Sequence, residues 1–180
     1  MNRSTDRFTK TEEEIVEFLF VHPTRSFRGR ALAKLLKKPA SGIIQSARKL
    51  EKKELVAIRK DFTLSIKLNR ENKHTFVLKR IYNLASLYKT EFVKCLSDLF
   101  PGAALVLFGS YSHGEDTEDS DIDLAIIGYP ERHIDSALIP YEKKLERKIQ
   151  LHFFKSMKDA HENLRENIIN GVVLEGALKL

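Results

Sequence analysis

Two apolar runs in the second half of the chain frame a polar segment of fixed length, and this arrangement constrains the fold most. Ala103–Phe108 predicts a buried strand that ends at Gly109-Ser110. Ile122–Ile127 predicts a second strand, which follows Asp121 directly and contains Asp123. Ten residues separate the Gly-Ser pair from the Asp-x-Asp unit. We therefore expect two neighbouring strands with polar groups where the first ends and the second begins.

The residue types at these two places favour a metal-bound phosphate. Gly109 lets the backbone approach a ligand closely, because it has no Cβ. Ser110 would open a helix, whose free N–H groups and hydroxyl suit phosphate oxygens. Asp121 and Asp123 are two residues apart on a strand, so their carboxylates point to the same side. Paired carboxylates bind Mg²⁺, which completes its shell with water and phosphate oxygens.

This pattern resembles the signature of the minimal nucleotidyltransferases in the polymerase-beta superfamily, which is a Gly-Ser pair, ten residues and Asp-x-Asp. The resemblance spans roughly residues 75–180. It implies Mg²⁺ and ATP, or another nucleoside triphosphate, as cofactors. It also implies that Gly109 and Ser110 bind the nucleotide, and that Asp121 and Asp123 are the catalytic metal ligands.

The chain departs from the family pattern at the third acidic position, where relatives that transfer nucleotides carry a carboxylate on the next strand. The matching segment holds Gln150, which can offer a carbonyl oxygen to a metal but cannot act as a general base. Three outcomes stay open: substrate or water takes the proton, His152 serves as the base, or nucleotide is bound without transfer. An ordinary strand histidine is the alternative for His152. His113 is expected to be a solvated loop residue or a phosphate contact.

Charge is distributed unevenly along the chain. Residues 1–80 hold 20 Lys and Arg against 9 Asp and Glu, whereas residues 81–180 hold 11 against 16. A basic half joined to an acidic half indicates two units with different partners. The basic half favours nucleic acid, because cations are attracted to phosphate.

The first 70 residues resemble a winged helix-turn-helix domain, with three helices and a β-hairpin. Periodicity predicts helices over 11–22, 28–37 and 41–53 and strands over 55–59 and 63–68 around a Lys60-Asp61 turn. Thr11 with Glu14 predicts a capping box, and Ser41 predicts an N-cap. The third helix would be the recognition helix.

Exposed polar residues on that helix and at the wing tip are the predicted contacts to double-stranded DNA. A solvated, charged surface is the alternative interpretation. The predicted DNA-binding residues are Ser41, Gln45, Arg48, Lys49, Lys52, Arg59 and Lys60.

The remaining segments complete an α+β prediction with a winged helix domain at 1–71 and a nucleotidyltransferase domain at 72–180. A long connecting helix is expected over 71–99, and a helix over 131–147 that Pro140 bends or divides. A third strand over 149–154 would complete a small mixed sheet flanked by helices. A closing helix is predicted over 160–170, and the resemblance makes 167–176 part of a C-terminal helix.

Two functions compete at this point. The first is an enzyme that transfers AMP from ATP to a hydroxyl, on a protein encoded by a neighbouring gene, while the winged helix binds DNA. The second is a catalytically degenerate, nucleotide-sensing transcriptional regulator. Winged helices often bind two half-sites as dimers, so a homodimer is expected. The sequence shows neither a membrane-spanning run nor a signal region, so we expect a cytoplasmic protein without a membrane partner.

Overall fold

The computed structural model describes residues 7–60 and 62–178, and the chain divides into two units, Met1–Thr75 and Phe76–Leu180. Both units mix helices with one small sheet, which confirms the mixed α and β composition. In the part of the chain that the structure describes, no helix is both long enough and apolar enough to cross a membrane.

The N-terminal unit contains three helices and a three-stranded antiparallel sheet. Its strands lie in the order β1-β3-β2, and their inner side chains pack with the helices around a fully buried core. The core includes Ile15, Leu19, Leu32, Ile43, Leu50 and Ile66. The elements are α1 (Lys10–Val21), β1 (Ser26–Arg28), α2 (Gly29–Leu35), α3 (Ala40–Lys52), β2 (Val56–Lys60) and β3 (Leu64–Leu68).

Two predictions for this unit are corrected, and one strand was missed. The capping box of α1 uses Thr9 and Glu12, because an equivalent Thr-x-x-Glu pair lies two residues before the predicted one. Pro39 occupies the N-cap position of α3, so Ser41 lies inside the first helical turn and is not the cap. Strand β1 was not predicted, since three residues are too short to show a periodicity.

The C-terminal unit is a four-stranded mixed sheet with strand order β6-β5-β4-β7, in which only the β5–β6 pair is parallel. Apolar side chains from both faces of the sheet form separate clusters. The elements are α4 (Lys73–Lys89), α5 (Phe92–Leu99), β4 (Ala104–Phe108), α6 (Gly109–His113), β5 (Ile122–Ile127), α7 (Asp135–Leu145), β6 (Ile149–Phe154), a 3-10 helix (Met157–Asp159), α8 (Glu162–Ile169) and β7 (Val172–Glu175).

The predicted connecting helix over 71–99 is wrong, because the chain turns between α4 and α5. Glu91 adopts a left-handed conformation with φ of 63°, which interrupts the helical path without a Gly or Pro. The buried face of α4 is also different from the apolar stripe in the sequence. Lys79, Asn83 and Leu87 are buried, whereas Ile81 is 57% exposed.

The C-terminal helix predicted over 167–176 is also wrong. Helix α8 ends at Ile169, and Val172–Glu175 forms β7, which pairs with β4 at the edge of the sheet. Helix α7 starts later than predicted, and Pro140 lies within it without dividing it. Strands β5 and β6 have the predicted bounds.

Candidate active site and nucleic-acid interface

The turn after β4 is built around a glycine that no other residue replaces easily. Gly109 has a φ of 73°, in the left-handed region that L side chains rarely adopt. A methyl group added at Gly109 would lie 2.8 Å from Oδ2 of Asp123. The carboxylate of Asp123 therefore packs directly against the Cα of Gly109, next to Ser110.

Strand β5 brings this carboxylate to the turn because it pairs with β4. Asp123 lies opposite Phe108 in the antiparallel register, one residue before Gly109. Ile122 and Leu124 are fully buried in the core on the opposite side of the strand. Asp121 directly precedes β5, two residues before Asp123. The Asp123 side chain is 26% exposed, and Asp121 is exposed.

Strand β6 brings two further predicted residues to Asp123. Gln150 lies beside Asp123 in the parallel register, with an exposed side chain. Nε2 of His152 lies 3.3 Å from Oδ1 of Asp123, and the His152 ring contacts Phe108 at a centroid distance of 5.1 Å. An ionised carboxylate only accepts hydrogen bonds, so Nε2 donates here. His152 therefore orients Asp123, and any role as a base would fall to Nδ1.

A groove of about 670 Å³ is lined in part by Asp121. Its volume is within the range of ligand-binding pockets. One wall is the segment before β5, and the other is the second half of α7 with the turn that follows. Charged residues of both signs line it, including Glu118, Asp119, Glu142, Lys143, Arg147 and Lys148.

Two other polar residues lie near the turn after β4. His113 ends α6 and is exposed. Burial raises the pKa of Tyr111 well above its usual value, and the Asp116 carboxylate raises it further. The Tyr111 phenol therefore stays protonated at neutral pH and does not serve as a base beside Ser110.

A buried ion cluster behind the turn was not predicted from the sequence. It consists of Asp116, Lys79, Asn83 and Arg147, all of which are buried. The available signal was the polar pair Lys79 and Asn83, which are four residues apart on one face of α4. That signal did not identify the partner, because Asp116 lies 37 residues from Lys79 along the chain.

In the N-terminal unit, the predicted DNA-binding residues of α3 share one exposed helix face. These residues are Ser41, Gln45, Arg48, Lys49 and Lys52, which line a shallow groove of about 440 Å³ together with half-buried Ile44. Nζ of Lys49 lies 3.9 Å from Oε1 of buried Glu12. Arg59 and Lys60 are exposed at the end of β2, and Asp61 lies outside the described residues.

Comparison with known proteins relates this geometry to a family. The family described as "Nucleotidyltransferase domain" matches residues 89–174, which include strands β4 and β5 and the Gly109-Ser110 turn. A protein of Methanocaldococcus jannaschii named "Putative protein adenylyltransferase" is 36% identical over 83 residues, which cover 42% of this chain and 83% of that relative. The chain belongs to the nucleotidyltransferase domain family. The family match contains Asp121, Asp123 and Gln150.

One solved structure is also similar in part. The crystal structure of the S. aureus MepR–DNA complex is 21% identical to this chain, covers 51% of it and 81% of its own length, and superposes with a TM-score of 0.37.

The donor groups of the nucleotidyltransferase domain fit a metal that arrives with its substrate. Within residues 7–60 and 62–178, no group of three or more His, Cys, Asp and Glu side chains is arranged to hold a metal ion. Mg²⁺ is commonly held by one or two carboxylates, with phosphate oxygens and water in the other positions. Asp121 and Asp123 carry two carboxylates, and the absence of a side chain at Gly109 lets the turn approach that of Asp123 closely.

Proposed function

We propose that the C-terminal unit binds a Mg²⁺–nucleoside triphosphate at Gly109-Ser110, Asp121 and Asp123, and transfers the nucleoside monophosphate to a hydroxyl. The contact between the Asp123 carboxylate and the Cα of Gly109 carries this proposal. This contact places the Asp123 carboxylate of β5 beside the polar turn after β4. A site that binds a phosphate together with its metal needs these two groups close to each other. Membership of the family supports nucleotidyl transfer in general.

The residues of the site have separate tasks in this proposal. The free backbone N–H groups after Phe108 and the Ser110 hydroxyl donate to phosphate oxygens. Helix α6 has five residues, so individual N–H groups contribute more than a helix dipole. Asp121 and Asp123 hold the metal, which neutralises charge on the phosphates when it is bound. The chain thus supplies position and electrostatic stabilisation.

Gln150 makes proton removal the weak step of this site. Its amide lies where a third carboxylate would lie beside Asp123, and it cannot accept the proton of the attacking hydroxyl. We expect Gln150→Asp to raise the transfer rate about a hundredfold, the lower end of the usual contribution of a general base. Gln150→Ala is the matched control, because it removes the amide without adding a carboxylate. A rate for Gln150→Asp at or below that of Gln150→Ala would contradict this assignment.

AMP from ATP is the proposed donor chemistry, and a protein hydroxyl is the proposed acceptor. The relative that shares this domain is named "Putative protein adenylyltransferase". The test is incubation of the full chain with ATP labelled at the α-phosphate and Mg²⁺, alone and with the proteins encoded by neighbouring genes. Label on a partner that disappears with Asp121→Ala supports transfer. Nucleotide binding without any label supports the sensor function instead.

DNA binding is the proposed function of the N-terminal unit as a winged helix domain. The order helix, strand, helix, helix, strand, strand supports that assignment, with β2 and β3 as the wing. The exposed face of α3 carries Arg48, Lys49 and Lys52, and the end of β2 carries Arg59 and Lys60. Duplex affinity should fall steeply with salt, because bound cations release counterions from the phosphates. Binding that does not respond to charge reversal at Arg48, Lys49 and Lys52 would rule out α3 as the recognition helix.

The regulator remains the second candidate, and Gln150 is the observation that favours it. In that case the C-terminal unit senses nucleotide, and the N-terminal unit binds an operator as a homodimer. Sedimentation of the full chain with and without duplex DNA measures the oligomeric state. A monomer on a single half-site would contradict the dimer.

A further inference from the structure

We propose that Asp116 is a positioning residue of the nucleotide site, which fixes the loop formed by residues 114–121 through a buried ion cluster. This loop joins the Gly109-Ser110 turn to Asp121, so its conformation positions Asp121 relative to the phosphate-binding turn. The proposal rests on the proposed function of this site and adds a residue that does not touch the nucleotide.

The carboxylate of Asp116 is held on both of its oxygens. Lys79 donates from Nζ to Oδ1, and Nδ2 of Asn83 donates to the same oxygen at 2.8 Å. Nη2 of Arg147 donates to Oδ2 at 3.3 Å. Asp116 and Lys79 are each 1% exposed. Three donors, two on α4 and one in the turn after α7, therefore fix the orientation of one carboxylate that is shielded from water.

Helix α4 holds the start of the loop at two more points. Nδ2 of Asn83 also donates to the backbone oxygen of Tyr111 at 2.9 Å. A Cβ added at Gly114 would lie 2.4 Å from the backbone oxygen of Phe76 and 2.7 Å from the backbone nitrogen of Arg80. The backbone of α4 therefore packs directly on the loop at Gly114, where only a glycine fits.

The rest of the loop is closed by local hydrogen bonds. The Glu115 N–H donates to the Ser110 carbonyl oxygen at 3.0 Å, which ties the loop to the turn. The Thr117 N–H donates to Oγ of Ser120 at 2.9 Å, which forms a turn next to Asp121. The Asp116 side chain connects this loop to the body of the domain through the ion cluster.

A buried ion cluster is a poor way to gain stability alone, because desolvation of the charges offsets their attraction. What it provides is a specific geometry, since the donors must meet the carboxylate at defined angles. A shift of about 1 Å in a positioned group can lower a rate about a hundredfold. Loss of Asp116 should therefore impair the site even where the protein stays folded.

The first test compares Asp116→Asn with Asp98→Asn, which changes an exposed aspartate on α5 in the same way. The dissociation constant for Mg-ATP is measured by titration calorimetry on the full chain, at a temperature well below the melting temperature of each variant. We expect Asp116→Asn to weaken Mg-ATP binding about tenfold, and Asp98→Asn to leave it unchanged. A folded Asp116→Asn protein with unchanged affinity overturns the proposal.

Two further measurements keep the proposal testable if Asp116→Asn does not fold. Lys79→Met leaves Arg147 and Asn83 on the carboxylate, and a folded variant with unchanged Mg-ATP affinity would refute the role. Amide hydrogen exchange on the unmodified protein should show slow exchange at Glu115 and Thr117, whereas exchange at the rate of an open loop would contradict a fixed loop. If the unmodified chain does not bind Mg-ATP, the proposed function fails, while amide exchange still tests the fixed loop.

Discussion

The two units hold their charged side chains in different environments. In the N-terminal unit, Lys38 pairs with Glu14 at 2.9 Å, with both side chains 29% exposed, and Arg48, Lys49 and Lys52 of α3 are exposed, although Lys49 lies 3.9 Å from buried Glu12. In the C-terminal unit, Lys79 and Asp116 form an ion pair that is almost completely buried. The Asp123 carboxylate lies 3.3 Å from Nε2 of His152. Exposed charges act additively and weakly, whereas buried charges depend on each partner. Each substitution should therefore have a larger effect in the C-terminal unit.

The largest expected effect is at the strand carboxylate. Asp123→Asn keeps the shape of the side chain but removes its charge, so the metal-bound triphosphate loses one anionic ligand. We expect nucleotidyl transfer to fall about a thousandfold, similar to the loss of one group that stabilises a transition state. Transfer of α-phosphate label to the acceptor measures the rate. A loss of transfer rate smaller than about tenfold would contradict the role of Asp123 as a metal ligand.

The next effect compares two lysines that differ in burial. Lys79→Met should lower the free energy of unfolding of the C-terminal unit by about 3 kcal/mol, because it leaves part of the Asp116 charge without its partner. Lys38→Met should lower the free energy of unfolding of the N-terminal unit by less than about 1 kcal/mol. Amide hydrogen exchange of the full chain reports the opening of each unit separately. Equal losses of unfolding free energy in the two variants would contradict the difference between the two units.

A smaller effect compares two glycines with similar backbone angles. Gly102 has a φ of 82° and open space around it, whereas a Cβ at Gly109 would meet Asp123. Both alanine substitutions should cost about 1 kcal/mol of unfolding free energy through backbone strain. Only Gly109→Ala should weaken Mg-ATP binding, by about tenfold. Mg-ATP affinity is measured by calorimetry. Equal affinity in the two variants would mean that nucleotide binding does not depend on the contact between Gly109 and the Asp123 carboxylate.

The smallest effect concerns the exposed face of α3. Arg48→Ala should weaken duplex DNA binding by a few-fold and reduce the slope of log affinity against log salt by about 0.9, as expected for one lost phosphate contact. Lys94→Ala, which removes an exposed cation of α5 in the other unit, is the control. A single α3 substitution that abolishes binding would show that α3 is not simply an additive, solvated charge surface.

Local pattern was sufficient for some elements and misleading for others. Strands β5 and β6 were predicted with their observed bounds, because short, mostly apolar segments bounded by polar residues are typical of buried strands. The turn at Glu91 and the strand β7 were missed. Helical periodicity continues through Glu91, and Val172–Glu175 becomes a strand because the edge of β4 accepts its hydrogen bonds.

The sequence by itself determined the spacing between the Gly-Ser pair and the Asp-x-Asp unit, and the position of Asp123 on the side of β5 opposite to buried Ile122 and Leu124. These features depend on chain geometry over a few residues. Tertiary structure alone decided that His152 contacts Asp123 and that Lys79, Asn83 and Arg147 surround Asp116. Those partners lie 29 to 37 residues apart along the chain, so only the packing of α4, β5 and β6 brings them together.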